Sequence, residues 1–82
     1  MTIKIYVSGG RLQDKFNDAI NTIHDSAKFG IAVKVVIYTL TGKKIPIAES
    51  YFDAGEKNPD NKNEEPIIWY NRKALTDFGI NI

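Results

Sequence analysis

Ser8-Gly9-Gly10-Arg11 is the first stretch whose residue types could do chemistry. It sits between a strand-like run and a helix-like one. Exposed backbone amides at a helix start bind anions, and an arginine beside them adds a charge-assisted contact. The spacing matches neither the phosphate loop, with its lysine and hydroxyl pair, nor the GxGxxG dinucleotide pattern. A tight turn is therefore the plain reading, and anion binding by Ser8, Gly9, Gly10 and Arg11 the sharper one. His24 is the only histidine and there is no cysteine, so no zinc-type ligand set can be assembled around it. Gly42-Lys43-Lys44 places two lysines at a hairpin tip, suited to a phosphate or acidic partner or to keeping a sheet edge soluble. The acids Glu56, Asp60, Glu64 and Glu65 are interrupted by Lys57 and Lys62 and lack the fixed ligand spacing of a calcium loop. No nucleophile with its base and no carboxylate pair on rigid elements is evident. The expectation is a chain with no catalytic residue, no metal and no cofactor.

The elements that would position any site begin with Ile31–Leu40, IAVKVVIYTL. Its β-branched and aromatic content suits a pleated, packed surface. Side chains alternate across a strand, so Ile31, Val33, Val35, Ile37 and Thr39 share one face. Ala32, Lys34, Val36, Tyr38 and Leu40 share the other. Thr2–Val7 reads the same way, with Ile3, Ile5 and Val7 opposed to Lys4 and Tyr6. Between the two, residues 11–29 place Leu12, Phe16, Ala19, Ile20, Ile23 and Ala27 at spacings of three and four, the stripe of an amphipathic helix. Ser8 or a glycine is expected to cap its start, and Gly30 suits its end. Thr41–Lys44 is a turn, and Ile45–Asp53 returns antiparallel. Pro46 there demands an edge position or an outward-facing pairing side, and a bulge near Glu49–Ser50 would reconcile the faces of this strand. The polar segment 55–66 is expected to be a mobile loop. Pro66–Tyr70 is a short strand, and Arg72–Phe78 a final turn or two of helix capped by Asn71.

The order β-α-β-β-β(-α) implies one α+β domain over residues 1–82. It is a two-layer fold with a mostly antiparallel four-stranded sheet, covered on one face by the helix 11–29. If that helix takes the Ile3, Ile5, Val33, Val35, Ile37 side, the opposite face presents Lys4, Tyr6, Lys34, Val36 and Tyr38. Trp69 or Tyr70 must join it, because they alternate, and Tyr51 is a further candidate anchor for a partner. Such a face is a candidate protein interface, where Tyr and Trp are enriched. It is equally a platform for stacking unpaired bases, as in RNA-recognition domains. The bland alternative is a second core layer, closed over by the C-terminal helix with Leu75, Phe78 and Ile80.

Composition narrows the partners. Eleven basic against ten acidic residues give a net charge of +1, which argues against generic nucleic-acid binding and against acidic mimicry of DNA. The start of the chain has a strand pattern rather than that of a signal peptide, and no apolar run reaches membrane-spanning length. With no cysteine, the expected setting is cytoplasmic, that of a host cell if a phage encodes the chain. Lysine outnumbers arginine nine to two, a bias of AT-rich coding shared by phages and mobile elements. The expected function is a small protein-binding module, by analogy a phage or mobile-element inhibitor of a host protein or defence system, of the anti-CRISPR kind. Single-stranded nucleic-acid binding through the same face is the alternative. An edge strand or the aromatic face could also pair two copies into a homodimer.

Overall fold

The structure is a computed structural model and describes residues 1–51 and 66–82. The elements are β1 (Thr2–Tyr6), α1 (Leu12–Ala27), β2 (Lys34–Tyr38), β3 (Lys44–Tyr51), β4 (Ile67–Tyr70) and α2 (Arg72–Asp77), with a single 3₁₀ turn at Val7–Gly9. The strands form one sheet in the order β1-β2-β3-β4. β1 and β2 are parallel, and the other two pairings are antiparallel. A parallel pair needs a long crossover, and α1 supplies it. The result is the expected two-layer α+β fold. The loop expected over 55–66 falls outside the described residues apart from Pro66.

α1 forms where the apolar stripe is, and its buried residues are Phe16, Ala19, Ile23 and Ser26. Its exit is set by Gly30, at φ 68°, whose amide bonds to the Ala27 carbonyl while the Ile31 amide bonds to that of Ser26. Glycine enters this left-handed turn without the Cβ clash that other residues meet. Because Ile31 closes the helix, β2 begins at Lys34 rather than at Ile31. α2 ends in the same way: the Gly79 amide reaches the Thr76 carbonyl and the Ile80 amide that of Leu75. The entry to α1 differs from expectation. Ser8 is taken up by the 3₁₀ turn, and the N-cap is Arg11 in the left-handed region with no side-chain cap.

Both helices lie on the same side of the sheet. Phe16, Ala19 and Ile23 of α1 share one core with Ile5, Val33, Val35, Ile37, Ile47 and Ala48 of the sheet side and with Ala74, Leu75 and Ile80 of the C-terminal segment. Gln13 ties α1 to the tail, donating to the Asn81 carbonyl at 2.8 Å and accepting from its amide at 2.7 Å. The C-terminal helix therefore does not close over the second face. Between Val35 and Val36 the register with β3 shifts, pairing them with Ala48 and Pro46, so Ile47 is the extra residue of a bulge. The bulge expected near Glu49–Ser50 thus sits a turn of the pleat earlier. Consecutive Ile47 and Ala48 are both fully buried because of it.

Ser50 is the buried polar residue that fastens β3 to the start of β2. Its Oγ accepts from the Val33 amide at 2.8 Å, and its own amide donates to the Val33 carbonyl at 2.8 Å. Ser50→Ala leaves that amide buried without an acceptor, which costs about 1–3 kcal/mol. A domain of this size is expected to lose roughly 4–8 °C of Tm for each kcal/mol. Thermal unfolding followed by circular dichroism should show this drop, with the exposed Thr41→Ala as a neutral comparison. A loss no larger than that of Thr41→Ala would show that the Ser50 bonds add nothing to stability.

Candidate functional site

The face turned away from the helices is built by alternate residues of each strand, with one break in the alternation on β3. β1 contributes Lys4 and Tyr6, and β2 contributes Lys34, Val36 and Tyr38, in register as Lys4↔Val36 and Tyr6↔Tyr38. On β3 the outward residues are Lys44, Pro46, Glu49 and Tyr51, and on β4 they are Ile67 and Trp69, paired as Tyr51↔Ile67 and Glu49↔Trp69. Tyr6 and Tyr51 are each 50 % exposed, Ile67 44 % and Trp69 43 %. Val36 is an exception at 8 %, since it sits in register between Lys4 and Pro46.

Six of the seven residues expected to meet a partner, Lys4, Tyr6, Lys34, Tyr38, Tyr51 and Trp69, come together on this face. Tyr70 does not. It pairs with Ala48 and turns inward, its ring centroid 6.4 Å from that of Phe16. Sequence alternation required one of Trp69 and Tyr70 to face out, and only the register with β3 selects Trp69. Lys44, Pro46, Glu49 and Ile67 belong to the same face and were not among the residues expected there. Alternation along β3 and β4 is the signal that could have found them, once the bulge was placed.

The face has two ends of different chemistry. At one, Tyr6 and Tyr38 stack with centroids 5.1 Å apart and planes 27° from parallel. The Lys4 and Lys44 ammonium groups lie 5.8 and 5.7 Å from the Tyr38 centroid, within cation–π range. At the other end Tyr51, Ile67 and Trp69 form an exposed apolar ladder, with Lys34 and Glu49 opposite each other beside it. Tyr6 and Trp69 are three strand spacings apart, roughly 14 Å across the sheet, and are offset by a further four residues, roughly 13 Å, along it.

The other candidates are less well built. Arg11 of the Ser8–Arg11 turn lies 3.7 Å from Asp14, so the positive end of α1 already holds its own carboxylate. The Lys15 ammonium occupies the space above Gly9. His24 is exposed on the last turn of α1. Among the described residues no cluster of His, Asp and Glu could hold a metal ion. On the helix side a shallow cavity of about 290 Å³ has Phe16, Ile20, Tyr70 and Ile82 as its floor and asparagines at its rim. No helix of the described residues is long and apolar enough to cross a membrane. Compared with models of protein families, with curated proteins and with solved structures, the chain matches none.

Trp69 is the only tryptophan, so its fluorescence reports on the open face. Its emission is expected in the solvent-exposed range, quenched by acrylamide, and unchanged on dilution. Blue-shifted emission that resists the quencher would show the face to be covered in solution.

Proposed function

We propose that the chain is a small non-enzymatic protein-binding module and that the open sheet face is where it engages its partner. The observation that carries the reading is the one-sided placement of both helices, which leaves Tyr6, Tyr51, Ile67 and Trp69 between 43 and 50 % exposed on one surface. Exposed apolar surface such as the adjoining Tyr51, Ile67 and Trp69 marks interaction sites. Tyr and Trp are the side chains that most often dominate binding energy, because a rigid ring buries much area for little lost freedom. The Tyr51–Ile67–Trp69 ladder is the anchor in this reading. Binding by occupancy needs complementary shape and no reacting group. It suits an inhibitor or regulator of a host protein, of the kind that phages and mobile elements direct at host defences.

A second reading, single-stranded nucleic acid on the same face, is favoured by one feature: lysines flank the stacked tyrosines, an arrangement that serves phosphates and bases together. Its expected signature is salt-dependent binding of an unstructured oligonucleotide, weakened by Tyr6→Ala.

The protein reading is tested by capture from lysate of the cells that make the chain, with the immobilised wild type and two single variants. Trp69→Ala and Tyr51→Ala are each expected to lose about 2 kcal/mol of binding, roughly thirtyfold in Kd, with unchanged circular dichroism. Ile82→Ala, on the helix side, should retain it. A specific partner whose capture ignores both face variants, or folded wild type that captures none, removes the reading.

A further inference from the structure

We infer that the partner segment taken by this face is acidic: a carboxylate-rich stretch of polypeptide that seats against Lys4 and Lys44 beside the Tyr6–Tyr38 pair and runs along the face to Lys34. The inference rests on the protein-binding reading and adds the chemistry of the partner.

It comes from how charge is distributed. The chain as a whole is nearly neutral, at +1. Among the described residues its outward sheet face holds three lysines against the single carboxylate of Glu49. The ion pairs among the described residues are Arg11–Asp14 and Lys28–Asp25, both at the ends of α1. Those two cations have their counter-charges on the same helix. None of the three face lysines has one within ion-pair distance among the described residues, although Lys34 stands directly across from Glu49. Unpaired ammonium groups and exposed aromatic rings thus share this one face.

Two of these lysines are already positioned. A tyrosine ring attracts an ammonium group electrostatically but accepts few of its hydrogen bonds, so Lys4 and Lys44 keep N–H donors for a carboxylate. Holding the long side chains over Tyr38 before binding reduces the rotamer entropy lost on contact. Other occupants fit less well. A second copy laid face to face would bring the same lysine excess against itself, and like charges across an interface cost affinity. A nucleobase would find Tyr38 already stacked on by Tyr6 and approached by two ammonium groups. The residues next to it in the face, Val36 and Pro46, are aliphatic, and the aromatic rings of Tyr51 and Trp69 lie at the other end. That combination suits a peptide chain, whose side chains can be apolar at one position and anionic at the next.

The test uses the whole chain, labelled with ¹⁵N, and two polyanions at equal charge concentration and low ionic strength: poly-L-glutamate and single-stranded oligo-dT. Poly-L-glutamate is expected to shift the amide signals of Lys4, Tyr6, Lys34, Tyr38 and Lys44, with affinity that falls as salt is added. The double variant Lys4→Glu/Lys44→Glu should weaken it on the order of tenfold or more, while Lys28→Glu/Lys73→Glu on the helices leaves it unchanged. Lys34→Glu, which does not touch the tyrosine pair, reads the same charge should the double variant unfold. Absence of shifts, shifts confined to the helix side, or tighter binding of oligo-dT at the face would overturn the inference. If poly-L-glutamate fails while partner capture still depends on Trp69 and Tyr51, the binding face stands and only its acidic partner is wrong.

Discussion

The two-sidedness of this small domain depends on one extra residue in β3. In a regular strand Glu49 and Tyr51 would follow Ile45 and Ile47 into the core, because side chains alternate with a period of two. A carboxylate and a phenol would then lie on the side covered by the helices. The bulge at Ile47 breaks the alternation once. Ala48 and Ser50 become the inward residues, and Glu49 and Tyr51 go out. β4 inherits the corrected register, which turns Trp69 outward and Tyr70 inward against Phe16. Half of the proposed binding face is set by this single irregularity.

The bulge is held by the residue that starts the last helix. Asn71 donates from Nδ2 to the Pro46 carbonyl at 2.9 Å and from its backbone to the Ile47 carbonyl at 2.9 Å. Its Oδ1 accepts from the Ala74 amide at 3.2 Å, capping α2. β4 pairs only with Ala48 to Tyr51, so beside Pro46 the neighbouring strand has already ended. A proline in the second strand from the edge of the sheet is tolerated because no ladder partner is asking for its missing donor on that side. One asparagine therefore joins the strand irregularity, the end of the sheet and the start of the helix that shares the core.

Much of this was legible in the residues. The alternation of Ile3, Ile5, Val35 and Ile37 against Lys4, Tyr6, Lys34 and Tyr38 needs no partner strand to be read, and both β1 and β2 keep it. The stripe of α1 is equally local. What could not be read is whatever depends on a second segment. The position of the bulge is a relation between β3 and β2, and several placements satisfy β3 alone. The choice between Trp69 and Tyr70 follows from that same register. α2 buries only Ala74 and Leu75, and two positions on a six-residue helix do not say which side of a sheet it will cover. The Arg11 cap was hidden because Ser8 is a good capping residue that the preceding 3₁₀ turn had already used.

An uncovered sheet face exposes a protein to pairing with copies of itself, and this face carries its own deterrent. Val36, the aliphatic residue at its centre, is reduced to 8 % exposure by its place between Lys4 and Pro46. The tyrosine pair stacks on itself instead of offering two loose rings. Lysines on sheet surfaces and edges oppose self-association through like-charge repulsion. A surface that repels its own copy by an excess of one sign attracts a segment of the opposite sign by the same field. In the proposed reading, resistance to self-pairing and preference for an acidic partner come from one set of side chains. At the far end, where Lys34 stands opposite Glu49, the Tyr51–Ile67–Trp69 ladder has no such protection, and it is the surface that the proposed partner would cover.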